Sequence, residues 1–166
     1  MSCFTHADVI QALTDVLEEI HVGPPNPKTT WVTTNAPDSG ILGTLNTLSA
    51  ETASRRPAPG MSTIAAHTAH LVFALSLARR SAEGEDAYAG ADWAADWRTS
   101  TVDEEAWKAL RDNLQREHAA LIAALKANHP KEGDGSFLKS MFALAGHGAY
   151  HLGAIRQIQR MFLAGS

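Results

Sequence analysis

His147 and His151 stand four residues apart in the stretch Ala143-Leu144-Ala145-Gly146-His147-Gly148-Ala149-Tyr150-His151-Leu152-Gly153-Ala154-Ile155-Arg156-Gln157. Four residues is just over one helical turn, so both imidazoles leave one side of a helix and can close on a single ion. At about 100° per residue they lie about 40° apart, within the apolar stripe of Phe137, Leu144, Ile155, Ile158 and Phe162. Arg156 and Arg160 lie on another side. A second pair, His67 and His70, about 60° apart, falls on the apolar arc of a segment whose polar arc carries Ser62, Ser76, Arg79 and Arg80. One histidine of that pair with His147 and His151 makes a set of three nitrogen donors. Such a set leaves a position open on zinc, nickel or iron, as catalytic sites do and structural sites do not. Spacing alone leaves His67 and His70 tied. The plainer reading is four core histidines, each satisfied by its own hydrogen bond.

Other chemistries fit less well. A metalloprotease helix needs glutamate after its first histidine, where this chain has Gly148. A di-iron carboxylate bundle needs two Glu-x-x-His motifs, and only Glu18-Glu19-Ile20-His21 fits, at the end of a helix expected to fray. Glu117-His118 reads as a solvated face, Arg156 as a surface residue and Tyr150 as packing near the histidines. No glycine-rich phosphate loop or nucleotide fingerprint is present.

The elements that must carry these residues read as helices. Thr5 caps a first helix with Asp8 in its first turn, and Val9, Ile10, Leu13, Val16, Leu17 and Ile20 recur at helical spacing. Gly23-Pro24-Pro25-Asn26-Pro27 ends it, and Lys28 to Asp38 is extended or irregular. Pro37-Asp38-Ser39 is read as the cap of a short helix through Ile41, Leu42, Leu45 and Leu48. Ser54 to Gly60 is a break. Ser62 or Thr63 starts the second long helix, which runs to about Ala82. Ser81 to Ser100 is a long connection carrying Trp93 and Trp97, read first as sealing one end of the molecule. Thr101-Val102-Asp103-Glu104 is read as a capping box for a third long helix through Trp107, Leu110, Leu114, Leu121 and Leu125. Asn128-His129-Pro130 and Gly133-Asp134-Gly135 close it, and the fourth runs from about Ser136 to Phe162. The expected fold is all-α, a four-helix bundle with a long crossover between the second and third long helices.

With 166 residues, 45% hydrophobic and 19% charged, the chain suits one domain over residues 1–166. A net charge of −4 without a basic run speaks against nucleic acid. The single cysteine, Cys3, cannot form an internal disulfide and suits a reducing compartment. Neither a membrane span nor a signal peptide is read, so the expected location is cytoplasmic.

Pro59-Gly60-Met61-Ser62-Thr63-Ile64-Ala65-Ala66-His67-Thr68-Ala69-His70-Leu71 resembles the second-helix signature of the DinB/YfiT-like superfamily, a Pro-Gly loop leading to a ligand histidine followed by leucine. Gly146 to Gln157 resembles its closing His-x-x-x-His with a Gly-x-Ile/Leu-Arg tail. Leu48-Ser49-Ala50-Glu51-Thr52 resembles the segment before its Pro-Gly loop. The likeness runs from about residue 41 to 162. It implies metal ligands His70, His147 and His151, with His67 beside them to orient a ligand or act as a base. Leu152 and Ala154 depart from the polar Arg and Gln frequent in that tail. The resemblance further implies a bacterial protein that binds a divalent transition metal, zinc or nickel foremost. Its activity would be thiol-dependent S-transfer or related detoxification, with a low-molecular-weight thiol such as mycothiol, bacillithiol or glutathione and a small-molecule substrate. The alternatives it leaves are a metal-dependent hydrolase and a non-enzymatic metal-binding stress-response module. Homodimerisation follows only by analogy.

Overall fold

The computed structural model describes residues 4–94, 96–127 and 135–163. Among them the architecture is all-α, with helices α1 His6–His21, α2 Ile41–Asn46, α3 Ala50–Ser54, α4 Ile64–Ala82, α5 Glu104–Ala127 and α6 Gly135–Leu163. A 3-10 turn covers Asp96–Arg98, and no described residue is in a strand. No described helix is long and apolar enough to cross a membrane. Cys3 lies outside the described residues, as do Asn128, His129, Pro130, Gly133 and Asp134, read above as closing the third long helix.

The helix starts are local chemistry. Thr5 and Asp8 cap α1 reciprocally: the Asp8 amide donates to Thr5 Oγ1 at 3.2 Å and the Thr5 amide to Asp8 Oδ2 at 2.8 Å. Thr63, not Ser62, caps α4, accepting from the Ala66 amide at 3.2 Å. Two expectations are corrected. Helix α2 follows Gly40, which offers no side-chain cap, ends before Leu48, and is followed by α3, which Ser49 caps. Gly40 stands there because its backbone lies against α1, where a Cβ would come within 2.6 Å of the Val22 backbone. For α5 the first orphan amides are met by Asp103, which accepts from the Ala106 amide at 2.8 Å. Thr101 takes no part in that cap, and Glu104 reaches across to accept from the Ala50 amide at 2.9 Å.

The long helices pack on one another around the core. α4 lies against α5 and α6, and α1 in turn lies against α6 and α5. Leu13, Leu17 and Ile20 of α1 meet Leu71 and Leu75 of α4, Leu114, Leu121 and Leu125 of α5, and Leu152, Ile155 and Ile158 of α6 in one cluster. Burying each such side chain contributes about 1.5–3 kcal/mol against the cost of ordering the chain. The short helices close one side: Trp107 of α5 is fully buried, and its indole donates to the Leu48 carbonyl at 2.9 Å. The irregular segment between α1 and α2 is tied down by Glu19, a carboxylate only 2% exposed. It accepts from the amides of Trp31, Val32 and Thr33 at 2.7–2.9 Å. Burial raises its pKa, and those amides, with the Thr33 hydroxyl, more than offset this and hold it below the ordinary glutamate value.

Candidate metal centre

His67 and His70 leave α4, and His147 and His151 leave α6, where these two helices pack. Their placement follows from the amphipathic patterns: His67, His70 and His151 are buried and His147 is half-buried. The Nε2 atom of His147 lies 2.9 Å from His70 Nε2 and 3.0 Å from His151 Nε2. One ring nitrogen each from His70, His147 and His151 falls within 4.8 Å of the others, and no other such group of His, Cys, Asp or Glu occurs among the described residues. His67 sits behind the cluster, its Nδ1 atom 2.8 Å from His151 Nδ1. His70 is the member of its pair that approaches His147, while His67 reaches the far side of the His151 ring.

The cluster contains no carboxylate, and the electrostatics favour neutral rings at His151 and at the adjacent His67. Burial, then the neighbouring His147, His67 and His70, push the His151 pKa down to about 3. Burial, then His70, push that of His67 down to about 4. Neutral imidazole is the state that ligates a cation.

The connection between α4 and α5 lies against these histidines. Trp97 stacks on His70, with ring centroids 4.5 Å apart and planes 26° apart, and meets His67 edge-on at 5.4 Å. Trp93 lies 6.1 Å from His70. The tryptophans thus contact the histidines themselves, closer to the covering loop the length of this connection also allowed than to a seal at one end of the molecule. Tyr150 is exposed and packs edge-on against His151 at 5.0 Å. Arg156 lies away from the cluster, its guanidinium donating to the Ser39 carbonyl.

A second histidine group escaped the sequence reading. His118 is only 3% exposed, not on a solvated face, and its Nε2–H donates to Glu18 Oε2 at 3.1 Å. It stacks on His21 at 4.7 Å, and His21 Nδ1–H donates to the Leu17 carbonyl at 2.9 Å. The other nitrogens, His21 Nε2 and His118 Nδ1, are buried with no hydrogen-bond partner. Nor does α1 fray there: Glu18, Glu19 and His21 all hold defined partners. The signal was available, because Leu114, His118, Leu121 and Leu125 form one helical stripe.

The family model of the DinB superfamily matches residues 39–155, which spans both histidine pairs and the crossover. Neither the curated proteins nor the solved structures searched contain a match. With more than two thirds of its residues inside the family match, and three histidines converging between α4 and α6, the chain belongs to the DinB superfamily.

Proposed function

We propose that the protein binds a divalent transition metal through His70, His147 and His151 and uses it in a thiol-dependent S-transfer or related detoxification reaction on a small molecule. The observation that carries the metal reading is the approach of two nitrogens to His147 Nε2 at 2.9 and 3.0 Å. A ring nitrogen offers either one proton or one lone pair, so it serves one hydrogen bond well and not two. A cation shared by the three lone pairs removes the conflict. Edges of about 3.3 Å separate the donors of a tetrahedral zinc site, so little opening is needed to admit an ion.

His67 supports this set. For His151 to offer the Nε2 lone pair, its proton must sit on Nδ1, and that proton then points at His67 Nδ1. His67 is thereby the Nε2–H tautomer, with its Nδ1 lone pair engaged, which suits it to orient His151 rather than to act as a base. The chemistry a bound cation supplies is Lewis acidity toward a thiol or water, since three neutral donors leave its full charge for an anionic fourth partner. Trp97 over His70 keeps water from that side of the centre.

We read the fold that positions the site as a four-helix bundle of α1, α4, α5 and α6, one domain over 1–166, with the crossover between α4 and α5 as a cover for the metal. Elemental analysis of the wild type beside His70→Ala, His147→Ala and His67→Ala tests the site. About one equivalent in wild type, lost in His70→Ala and His147→Ala, is expected; no metal after reconstitution with zinc or nickel sinks the reading. In the cobalt-substituted protein, a spectral shift on adding thiol supports the transferase. A spectrum that no thiol or water analogue perturbs favours a metal-binding module without catalysis.

A further inference from the structure

Two openings flank the covered histidines, and they differ in chemistry. On the α4–α6 side, a pocket of about 330 Å³ is lined by Ala74, Tyr88, Trp93, Ser140, Ala143 and Leu144, with His147. The other is lined partly by Ser62, His67, Tyr150 and Gln157. No described Asp, Glu, Lys or Arg lines either opening, and the first has Ser140 and Tyr88 as its polar groups beside His147. Its Ser140 hydroxyl is turned back on its own helix, donating to the Phe137 carbonyl at 2.7 Å. Trp93 is braced there, edge-on to Phe73 at 5.4 Å and nearly parallel to Tyr88, 13° apart at 6.3 Å.

We propose that this pocket holds the apolar body of the substrate, and that the substrate class is a small uncharged aromatic or alkyl compound with one polar atom facing His147. The orientation rests on the metal site proposed above; the occupancy rests on the lining alone. A sulfonate, phosphate or carboxylate placed against Trp93 and Leu144 would lose water and find no counter-charge. An aromatic ring in the same place gains apolar burial and an offset or edge contact with Trp93. The volume lies at the small end of ligand sites and fits a compound of one or two rings.

Ligand-observed saturation-transfer NMR with benzyl alcohol and benzenesulfonate, on purified protein with and without one equivalent of zinc, tests this. Benzyl alcohol is expected to bind the metal-free protein at least ten-fold more tightly than benzenesulfonate. Ala143→Trp, at an exposed helix position, fills the pocket and should weaken benzyl alcohol at least ten-fold. Trp93→Ala, which removes one wall, should weaken it several-fold. Circular dichroism confirms that both variants stay folded. Equal binding of the two probes, no binding of benzyl alcohol, or wild-type binding by both variants overturns the proposal. Benzyl alcohol binding that Ala143→Trp blocks in a protein that takes up no metal supports the pocket while removing the metal reading.

Discussion

His67 Nδ1 lies 2.8 Å from His151 Nδ1, so each of these rings dictates where the other carries its proton. The pair joins a residue outside the proposed ligand set to one inside it. Replacing His67 by alanine should leave a site of three nitrogens but free the His151 ring to turn and to change tautomer. Metal affinity is expected to fall about 10–100-fold, the usual cost of removing such a partner. Competition titration with a zinc chelator measures it. His67→Asp, which can still accept from His151 Nδ1–H, should recover part of the loss. An affinity for His67→Ala equal to wild type would mean that the Nδ1 contact does not orient His151.

Stability of the metal-free protein should fall on mild acidification. Burial holds His21 and His151 at about 3 and His67 at about 4, whereas an unfolded histidine titrates near 6.5. Below about pH 6.5 the unfolded chain therefore binds protons that the folded chain refuses. The stabilisation is complete above that pH and declines as the pH drops toward 4, by up to about 1.4 kcal/mol per pH unit for each histidine. The urea midpoint should be clearly lower at pH 5.0 than at pH 7.5, and bound zinc should steepen the fall, because protonation of the ligands competes with it. Equal midpoints at the two pH values would show these rings to be open to solvent.

Much of this arrangement is legible in the amino-acid order because it is set by local rules. Thr5 with Asp8, and the stripe from Leu144 to Ile158, announce helices and their inward faces, and His147 with His151 inherits its direction from that stripe. What the order does not reveal is contact between distant segments. Whether His67 or His70 approaches His147 depends on the roll of α4 against α6, which spacing does not encode. Trp97 is found on His70 only once the crossover is folded back. Glu19 reads as a helix-end charge until the three amides of residues 31–33 are brought to it from a dozen positions away. His118 differs from these: its stripe was there to be seen, and the adjacent Glu117 made the segment look solvated. Glu117 in fact pairs with Arg79 of α4 at 2.9 Å.

The Glu19 carboxylate gathers the amides of Trp31, Val32 and Thr33, together with the Thr33 hydroxyl at 3.1 Å, in a segment without regular structure. Hydrogen bonds to a charged acceptor contribute about 1.5–3 kcal/mol each at most, and they share one acceptor here. Glu19→Ala should therefore cost about 3 kcal/mol and release the segment between α1 and α2. Amide hydrogen exchange at Trp31, Val32 and Thr33 should accelerate strongly while exchange in the middle of α4 changes only with global stability. Unchanged protection at those three amides would show that the segment is held by other contacts.

Gly148 and its neighbours Gly146 and Gly153 in α6 look interchangeable by type, and the packing separates them. A Cβ at Gly148 would stand 3.0 Å from Ile20 Cγ2 and 3.2 Å from His21 Cε1, where α1 crosses α6. A Cβ at Gly146 or Gly153 meets nothing within 4 Å. Glycine within a helix costs about 0.5–1 kcal/mol relative to alanine, so Gly146→Ala and Gly153→Ala should raise the urea midpoint. Gly148→Ala gains the same helix preference but must push Ile20 and the buried His21 aside, an overpacking cost of about 1–3 kcal/mol. Its net effect should be destabilising, and because Gly148 follows His147, the shift of α1 should also be felt as weaker metal retention. Opposite signs for Gly148 and the other two are the expected result; stabilisation by all three alanines would show that α1 and α6 are not in close contact at this point.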